Sequence, residues 1–301
     1  MVRECLQLKA PAKINLFLRV IGRRADGYHL LLTLMQKVDL FDEIELRACD
    51  VGIRLRSRGG GVPETRDNLV YRAAELFLQA LRVKGGLLKA GVDIALTKKI
   101  PVAAGLGGGS SDAAATLKGL NELYRCGYSA DELAEMGLRL GADVPFFLAK
   151  APAALATGIG EILQPVEPLQ GQNILLVNPG FAVSTRWVYR NFALTERGDS
   201  SILKNSQEVA ALTSNGYGHE QGNWERAVPH NDLESVTIAK YPEIERIKTE
   251  LVANGASVAL MSGSGPTVFG LFGDPGKAAA CHAFFKRRFH HVYLVSPVGE
   301  K

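Results

Sequence analysis

Residues 101–114, PVAAGLGGGSSDAA, place Gly105, Gly107, Gly108 and Gly109 within five positions and follow them with Ser110, Ser111 and Asp112. What flanks them decides between a flexible linker and a shaped loop. Upstream, Val92, Ile94 and Leu96 alternate with other residues, the period of a strand. Downstream, SSDAAATLKGLNELY is a good helix former. Linkers rarely join an amphipathic strand directly to a helix. Glycines at such a junction allow positive φ and remove Cβ atoms, so amide N–H groups can face an anion. The following helix adds unpaired N–H groups and the positive end of its dipole. The stretch therefore reads as a phosphate cradle, with Ser110 and Ser111 offering hydroxyls to phosphate oxygens or to a metal ion. Two well-known nucleotide loops are excluded. GxxxxGK[ST] fails because no lysine follows the glycines, and GxGxxG fails because its last glycine would fall on Ser110 or Asp112.

Working outward, residues 13–56 read as strands, with Ile14, Leu16 and Leu18 and then Ile44 and Leu46 in alternation. Residues 67–83 switch to helical spacing, and Gly85-Gly86 is expected to end that helix. Ser129 and Glu132 form a capping-box pattern opening another helix, which Gly141 can close, leaving Asp143 just beyond its end. Residues 158–161, with Pro165 and Pro168, suggest a change of domain. Beyond it lie a strand at 173–177, helices at 241–253 and 275–288, and strands near 256–260 and 267–272. Residues 194–224 are polar and poorly periodic, and read as loop or loosely helical. The class is α+β, helices over mainly antiparallel sheets, in two domains, 1–158 and 159–301.

Bulk properties remove several function classes. A net charge of +4 over 301 residues is too small to argue for nucleic acid, and the short basic run Lys286-Arg287-Arg288 reads as a solvated helix face. The four cysteines show no CxxC spacing, so neither a zinc site nor a disulfide framework is expected. No apolar stretch approaches the ~20 residues of a membrane span. The N-terminus resembles neither a secretory signal nor a transit peptide, and reduced thiols fit a cytoplasmic protein.

PVAAGLGGGSSDAA resembles the phosphate loop of the small-molecule kinase superfamily of galactokinase, homoserine kinase, mevalonate kinase and phosphomevalonate kinase. Further segments narrow the resemblance to the 4-diphosphocytidyl-2-C-methyl-D-erythritol kinase family. They are APAKINLFLRVIGRRADGYHLL (10–31), GADVPFFL (141–148), ATGIGEIL (156–163), NDLE (231–234) and MSGSGPTVFGLF (261–272). The likeness runs nearly end to end, with 194–224 as its main gap. It implies an N-terminal ribosomal-protein-S5-like ATP domain and a C-terminal ferredoxin-like domain, with the active site in the cleft between them. It also implies transfer of the γ-phosphoryl of ATP to the 2-hydroxyl of a cytidine-diphospho sugar alcohol, in isoprenoid precursor synthesis. A homoserine- or mevalonate-type kinase is the nearest rival, which DGYH and NDLE oppose. An inactive ligand-binding regulator is a second.

The resemblance also assigns residues. Asp143 matches the catalytic aspartate, although an aspartate after a helix end is usually a solvated turn residue. Lys13 matches the catalytic lysine, which the family places next to Asp143; an ordinary strand lysine only faces water. The nucleotide contacts would be Pro101, Val102, Ala103, Ala104, Gly105, Leu106, Gly107, Gly108, Gly109, Ser110 and Ser111. Asn68 would lie near the adenine, though it is also a natural N-cap, and Lys98 would add positive potential. Tyr28 would stack on cytosine and His29 read its polar edge, with Tyr189 as a second aromatic wall. Asn15 and Thr185 are further substrate contacts. Mg²⁺ should accompany ATP, with Ser111 as a ligand and phosphate oxygens and water supplying the rest. Residues 262–265 match an element that closes over the site in the superfamily, and alone read as a tight turn. The chain is expected to act on small molecules, with no nucleic-acid or membrane partner, as a monomer or homodimer.

Overall fold

The computed structural model describes residues 5–83, 90–193 and 229–299. The expected helix end at Gly85-Gly86 and the polar stretch 194–224 lie outside those residues. Whereas the expected division is sequential, the chain forms two interleaved compact units. One comprises Met1–Ala12, Leu40–Val102 and Gly107–Lys150; the other comprises Lys13–Asp39, Ala103–Leu106 and Ala151–Lys301. The long strands β1 (Cys5–Arg23) and β2 (His29–Cys49) contribute residues to both.

In the first unit β4 (Gly91–Thr97) pairs antiparallel with the C-terminal half of β2 and parallel with β3 (Gly52–Arg58). Helix α1 (Leu69–Val83) buries Val70, Ala73, Ala74, Phe77, Leu78 and Leu81, the apolar stripe of a 3.6-residue period. It packs on α2 (Gly108–Leu123), whose glycine at 119 lets the helix press onto the sheet. A methyl group there would sit 2.3 Å from Leu8 Cδ1 and 2.5 Å from Leu46 Cδ1. Helix α3 (Ala130–Leu138) opens with the expected capping box, Glu132 N donating to Ser129 Oγ at 3.2 Å and Ser129 N to Glu132 Oε2 at 2.8 Å. It ends three residues before Gly141, because Leu140 N and Gly141 N both turn back to the Gly137 carbonyl. A short helix, α4 (Val144–Leu148), then packs against α2 and α3.

In the second unit the N-terminal half of β2 pairs with β5 (Ala153–Thr157), and β5 with β6 (Ile162–Val166). Residues 158–161 are thus the turn of a hairpin. Glycines at positive φ and a proline on a strand look the same in sequence at a hairpin and at a linker. β1 gains a parallel partner, β8 (His230–Asn231). A four-stranded antiparallel sheet has the order β11 (His291–Val295), β7 (Asn173–Asn178), β10 (Val268–Phe272), β9 (Val258–Met261). Helices α5 (Thr185–Asn191), α6 (Glu234–Lys240), α7 (Glu243–Ala253) and α8 (Pro275–Lys286) belong to this unit. Its core joins Leu175, Val177, Val268 and Phe272 from the sheet to Ile247, Leu251 and Phe285 from the helices. Among the described residues no helix is long and apolar enough to cross a membrane.

Candidate active site

The phosphate loop is anchored before it begins. Asp42, fully buried on β2, accepts hydrogen bonds from Lys99 N at 2.5 Å and Ile100 N at 2.9 Å. Lys98 Nζ pairs with Asp42 and, at 2.7 Å, with Asp112 Oδ2. The positive potential expected of Lys98 is therefore met by two carboxylates in a buried cluster. Burial raises Asp112 most; Lys98 opposes the rise and Asp42 adds to it, leaving Asp112 pushed up to about 7.

The chain then passes Pro101 and the half-exposed Val102 and enters left-handed backbone at Ala103 (φ 51°), Gly105 (φ 77°) and Gly107 (φ 69°). The expectation that all four glycines serve a loop is corrected here. Gly108 and Gly109 form the first turn of α2, and Gly107 is its N-cap. Gly108 is required by packing, since a Cβ there would lie 3.0 Å from Ile100 Cγ2 and 3.3 Å from Lys98 Nζ. No side chain caps α2, so the amides of its first turn, which have no carbonyl within their own helix, remain for an anion. Behind them Ser111 Oγ and Asp112 Oδ1 are buried without a hydrogen-bond partner. Buried hydroxyls ordinarily find one, and an orphaned pair of oxygens beside a phosphate cradle fits a hard cation. Among the described residues no group of three His, Cys, Asp or Glu side chains could hold a metal.

Asp143 occupies the N-cap position of α4, whose five residues are all buried. The neighbouring Gly141 lies against α2, a Cβ there falling 3.8 Å from Ser110 Oγ. The turn that carries Asp143 is therefore beside the start of the helix that follows the cradle. Asn68 caps α1, its Oδ1 accepting from Val70 N at 2.9 Å and its Nδ2 donating to the Pro63 carbonyl at 2.8 Å.

In the second unit Lys13 N donates to the Leu106 carbonyl at 2.9 Å, tying β1 to the cradle's midpoint. Lys13 Nζ donates to Asn15 Oδ1, and Asn15 Nδ2 donates to Thr33 Oγ1 at 2.8 Å. Lys13, Asn15 and Thr33 are all buried. The loop at 262–265 lies over this group, a Cβ at Gly263 falling 3.3 Å from Asn15 Oδ1 and 3.4 Å from Lys13 Nζ. Ser262 Oγ donates to the Gly105 carbonyl at 3.0 Å, and Ser264 Oγ meets Thr185 Oγ1 at 2.8 Å. His29 and Tyr189 stand with ring centroids 5.2 Å apart, while Tyr28 is 59% exposed. Burial, followed by the charge of Arg23, lowers the His29 pKa, favouring the neutral ring with one donor and one acceptor.

Three residues of this arrangement have no individual signal in the sequence: Asp42, Thr33 and Asn231. Asn231 Nδ2 donates to the carbonyls of Met261 at 2.7 Å and Gly263 at 2.8 Å, and so holds the 262–265 loop. Its place in NDLE marks the segment but not that task.

Residues 68–150 match the GHMP kinases N terminal domain and residues 219–291 the GHMP kinases C terminal domain. The 4-diphosphocytidyl-2-C-methyl-D-erythritol kinase of Geobacter metallireducens is 49% identical over 277 residues, 91% of this chain and 92% of that protein. A crystal structure of 4-(cytidine 5'-diphospho)-2C-methyl-D-erythritol kinase superposes with a TM-score of 0.75 at 35% identity, covering 98% of this chain and 100% of that one. Homoserine kinase from Cytophaga hutchinsonii also gives a TM-score of 0.75, but at 21% identity over 99% of this chain and 96% of that one, a likeness of fold alone. On this combination of cradle, fold and identity, the chain belongs to the 4-diphosphocytidyl-2-C-methyl-D-erythritol kinase family of the GHMP kinases.

Proposed function

We propose that the protein transfers the γ-phosphoryl group of ATP to the 2-hydroxyl of 4-diphosphocytidyl-2-C-methyl-D-erythritol, releasing ADP and the 2-phosphate for isoprenoid precursor synthesis. The observation that carries the chemistry is the uncapped first turn of α2 behind a left-handed glycine turn. The substrate comes from the close relatives of that name. Phosphoryl transfer needs an aligned hydroxyl, a base for its proton and neutralisation of the phosphoryl oxygens. Asp143 accepts the hydroxyl proton, and the Lys13 ammonium favours the developing alkoxide. The amides of Gly108, Gly109 and Ser110 hold the phosphate chain, with residues 101–107 forming the wall of the cradle. Asn68 lies near the adenine, and Lys98 acts on the nucleotide through the loop it anchors. Mg²⁺, held by Ser111 and phosphate oxygens, neutralises phosphate charge when bound. Tyr28 and Tyr189 flank the cytosine, His29 reads its edge, and Thr185 and Asn15 border the sugar alcohol. The protein works in the cytoplasm as a monomer or homodimer.

The test is ADP release from Mg-ATP with three acceptors in turn: 4-diphosphocytidyl-2-C-methyl-D-erythritol, homoserine and mevalonate. Turnover with the cytidyl compound alone is the expected result. Turnover with either of the others moves the substrate assignment, and none with any of them makes the chain a binding protein.

A further inference from the structure

The buried polar chain behind Lys13 has a direction, and one residue sets it. Thr33 Oγ1 lies 2.7 Å from the Phe17 carbonyl and 2.8 Å from Asn15 Nδ2. A carbonyl only accepts, so the single hydroxyl proton of Thr33 goes to Phe17. Towards Asn15 the hydroxyl can then only accept, which draws the amide NH₂ of Asn15 to that side. Its Oδ1 is left facing Lys13, whose ammonium only donates. The reverse orientation would set an NH₂ against an ammonium and leave the Thr33 oxygen against the amide oxygen. With Asn15 3% and Thr33 2% exposed, water is not at hand to repair either clash.

We infer that Thr33 is a positioning residue for the phosphoryl-transfer step: by fixing the polarity of the Asn15 amide, it fixes where the Lys13 ammonium sits. The inference rests on the reading of Lys13 as the cation of the reaction. Thr33 touches neither Lys13 nor the phosphate cradle through any hydrogen bond of its own; its hydroxyl serves Phe17 and Asn15. β2 places it, in register with Ala156 of β5, so the hydroxyl is held by sheet structure and not by a loop. The Gly263 backbone over the pair leaves little room for Lys13 and Asn15 to find another arrangement.

Thr33→Val removes the hydroxyl at nearly constant volume, Thr33→Ser keeps it, and Thr33→Ala compared with Thr33→Ser isolates the hydroxyl a second time. The expected result is a fall in kcat of about 10- to 100-fold for the valine and alanine variants, the range of a small misplacement of a reacting group. KM for ATP should stay within about twofold, and the serine variant should recover most of kcat. Wild-type kcat in Thr33→Val, equal losses in Thr33→Ala and Thr33→Ser, or a loss confined to KM for ATP would each overturn the proposal. So would failure of both hydroxyl-free variants to fold while the serine variant folds, because Thr33 would then be part of the core alone. Lys13→Met run in parallel separates the two levels. If it keeps wild-type turnover, the role of Lys13 fails; if it is inactive while Thr33→Val is not, only the present inference fails.

Discussion

Two glycine turns serve this protein, and their difference shows what makes an anion site. Residues 103–107 and 262–265 each place two glycines in left-handed backbone. The first leads into α2, whose opening amides have no partner in their own helix and no side-chain cap. The second leads into β10, whose residues Val268 to Leu271 are in register with both β9 and β7. Its own carbonyls are tied to Asn231, and Ser262 and Ser264 bond to Gly105 and Thr185. Glycines therefore give shape in both places. Only the turn that ends in an open helix has donors left to give a phosphate.

The comparison can be broken or sharpened by substitution. The largest effect is expected from Asp143→Asn, beside the first turn. Its kcat should fall at least ~100-fold, the low end of general-base effects, with ATP binding retained. Wild-type turnover would remove the catalytic task from this side of the comparison. Gly109→Ala comes next, because its new Cβ would meet only Leu69 Cδ1 at 3.5 Å and should be tolerated by the fold. KM for ATP should rise about tenfold, the equivalent of one weakened amide contact, without a change in melting temperature. An unchanged KM would show that the open helix turn is not the cradle.

Asn231→Ala tests the second turn. Two carbonyls lose their donor, and unfolding free energy should fall by about 1–3 kcal/mol in denaturant titration, with KM for ATP unchanged. A rise in that KM without loss of stability would reverse the roles given to the two turns. The smallest effect concerns the anchor of the first turn. Asp112 is raised above its unfolded value, so the folded state holds the extra proton between about pH 4 and about 7. The stability this group contributes is complete below the unfolded pKa and is lost as pH rises through about 7. Asp112→Asn cannot lose a proton, so its stability relative to wild type should increase from pH 5 to 8, by at most about 1.4 kcal/mol per pH unit. A pH-independent difference would mean that Asp112 does not titrate in this range.

Local patterns revealed what local physics controls. The alternation before residue 97, the helix former after 109, the Ser129 capping box and the Asn68 cap all follow from neighbours within a few positions. So did the boundary where glycines meet a helix, although the sequence did not show that Gly108 and Gly109 lie inside it; nothing local announces the Ile100 side chain that Gly108 must clear. Pairings across the chain were hidden. β1 receives β8 through Phe17 and His230, and no periodicity near either residue reports that contact. Interleaving of the two units is invisible for the same reason. Lys98 and Asp112 are fourteen residues apart, and their joint burial with Asp42 depends on how β2, β4 and α2 meet. Thr33 looks like any threonine on a strand until the carbonyl it bonds is known. Resemblance supplied Lys13, Asp143 and the cytosine-side residues, because the chemistry of a lone lysine or aspartate cannot be read from spacing.

Asp42 carries a final consequence. One carboxylate gathers two successive main-chain amides and an ammonium at the mouth of the cradle, out of reach of solvent. That end of the loop is thus organised before any nucleotide arrives, and capture of ATP has little chain left to order there. Affinity at such a site is not eroded by an entropy of closure, and the nucleotide can leave as readily as its phosphate contacts allow.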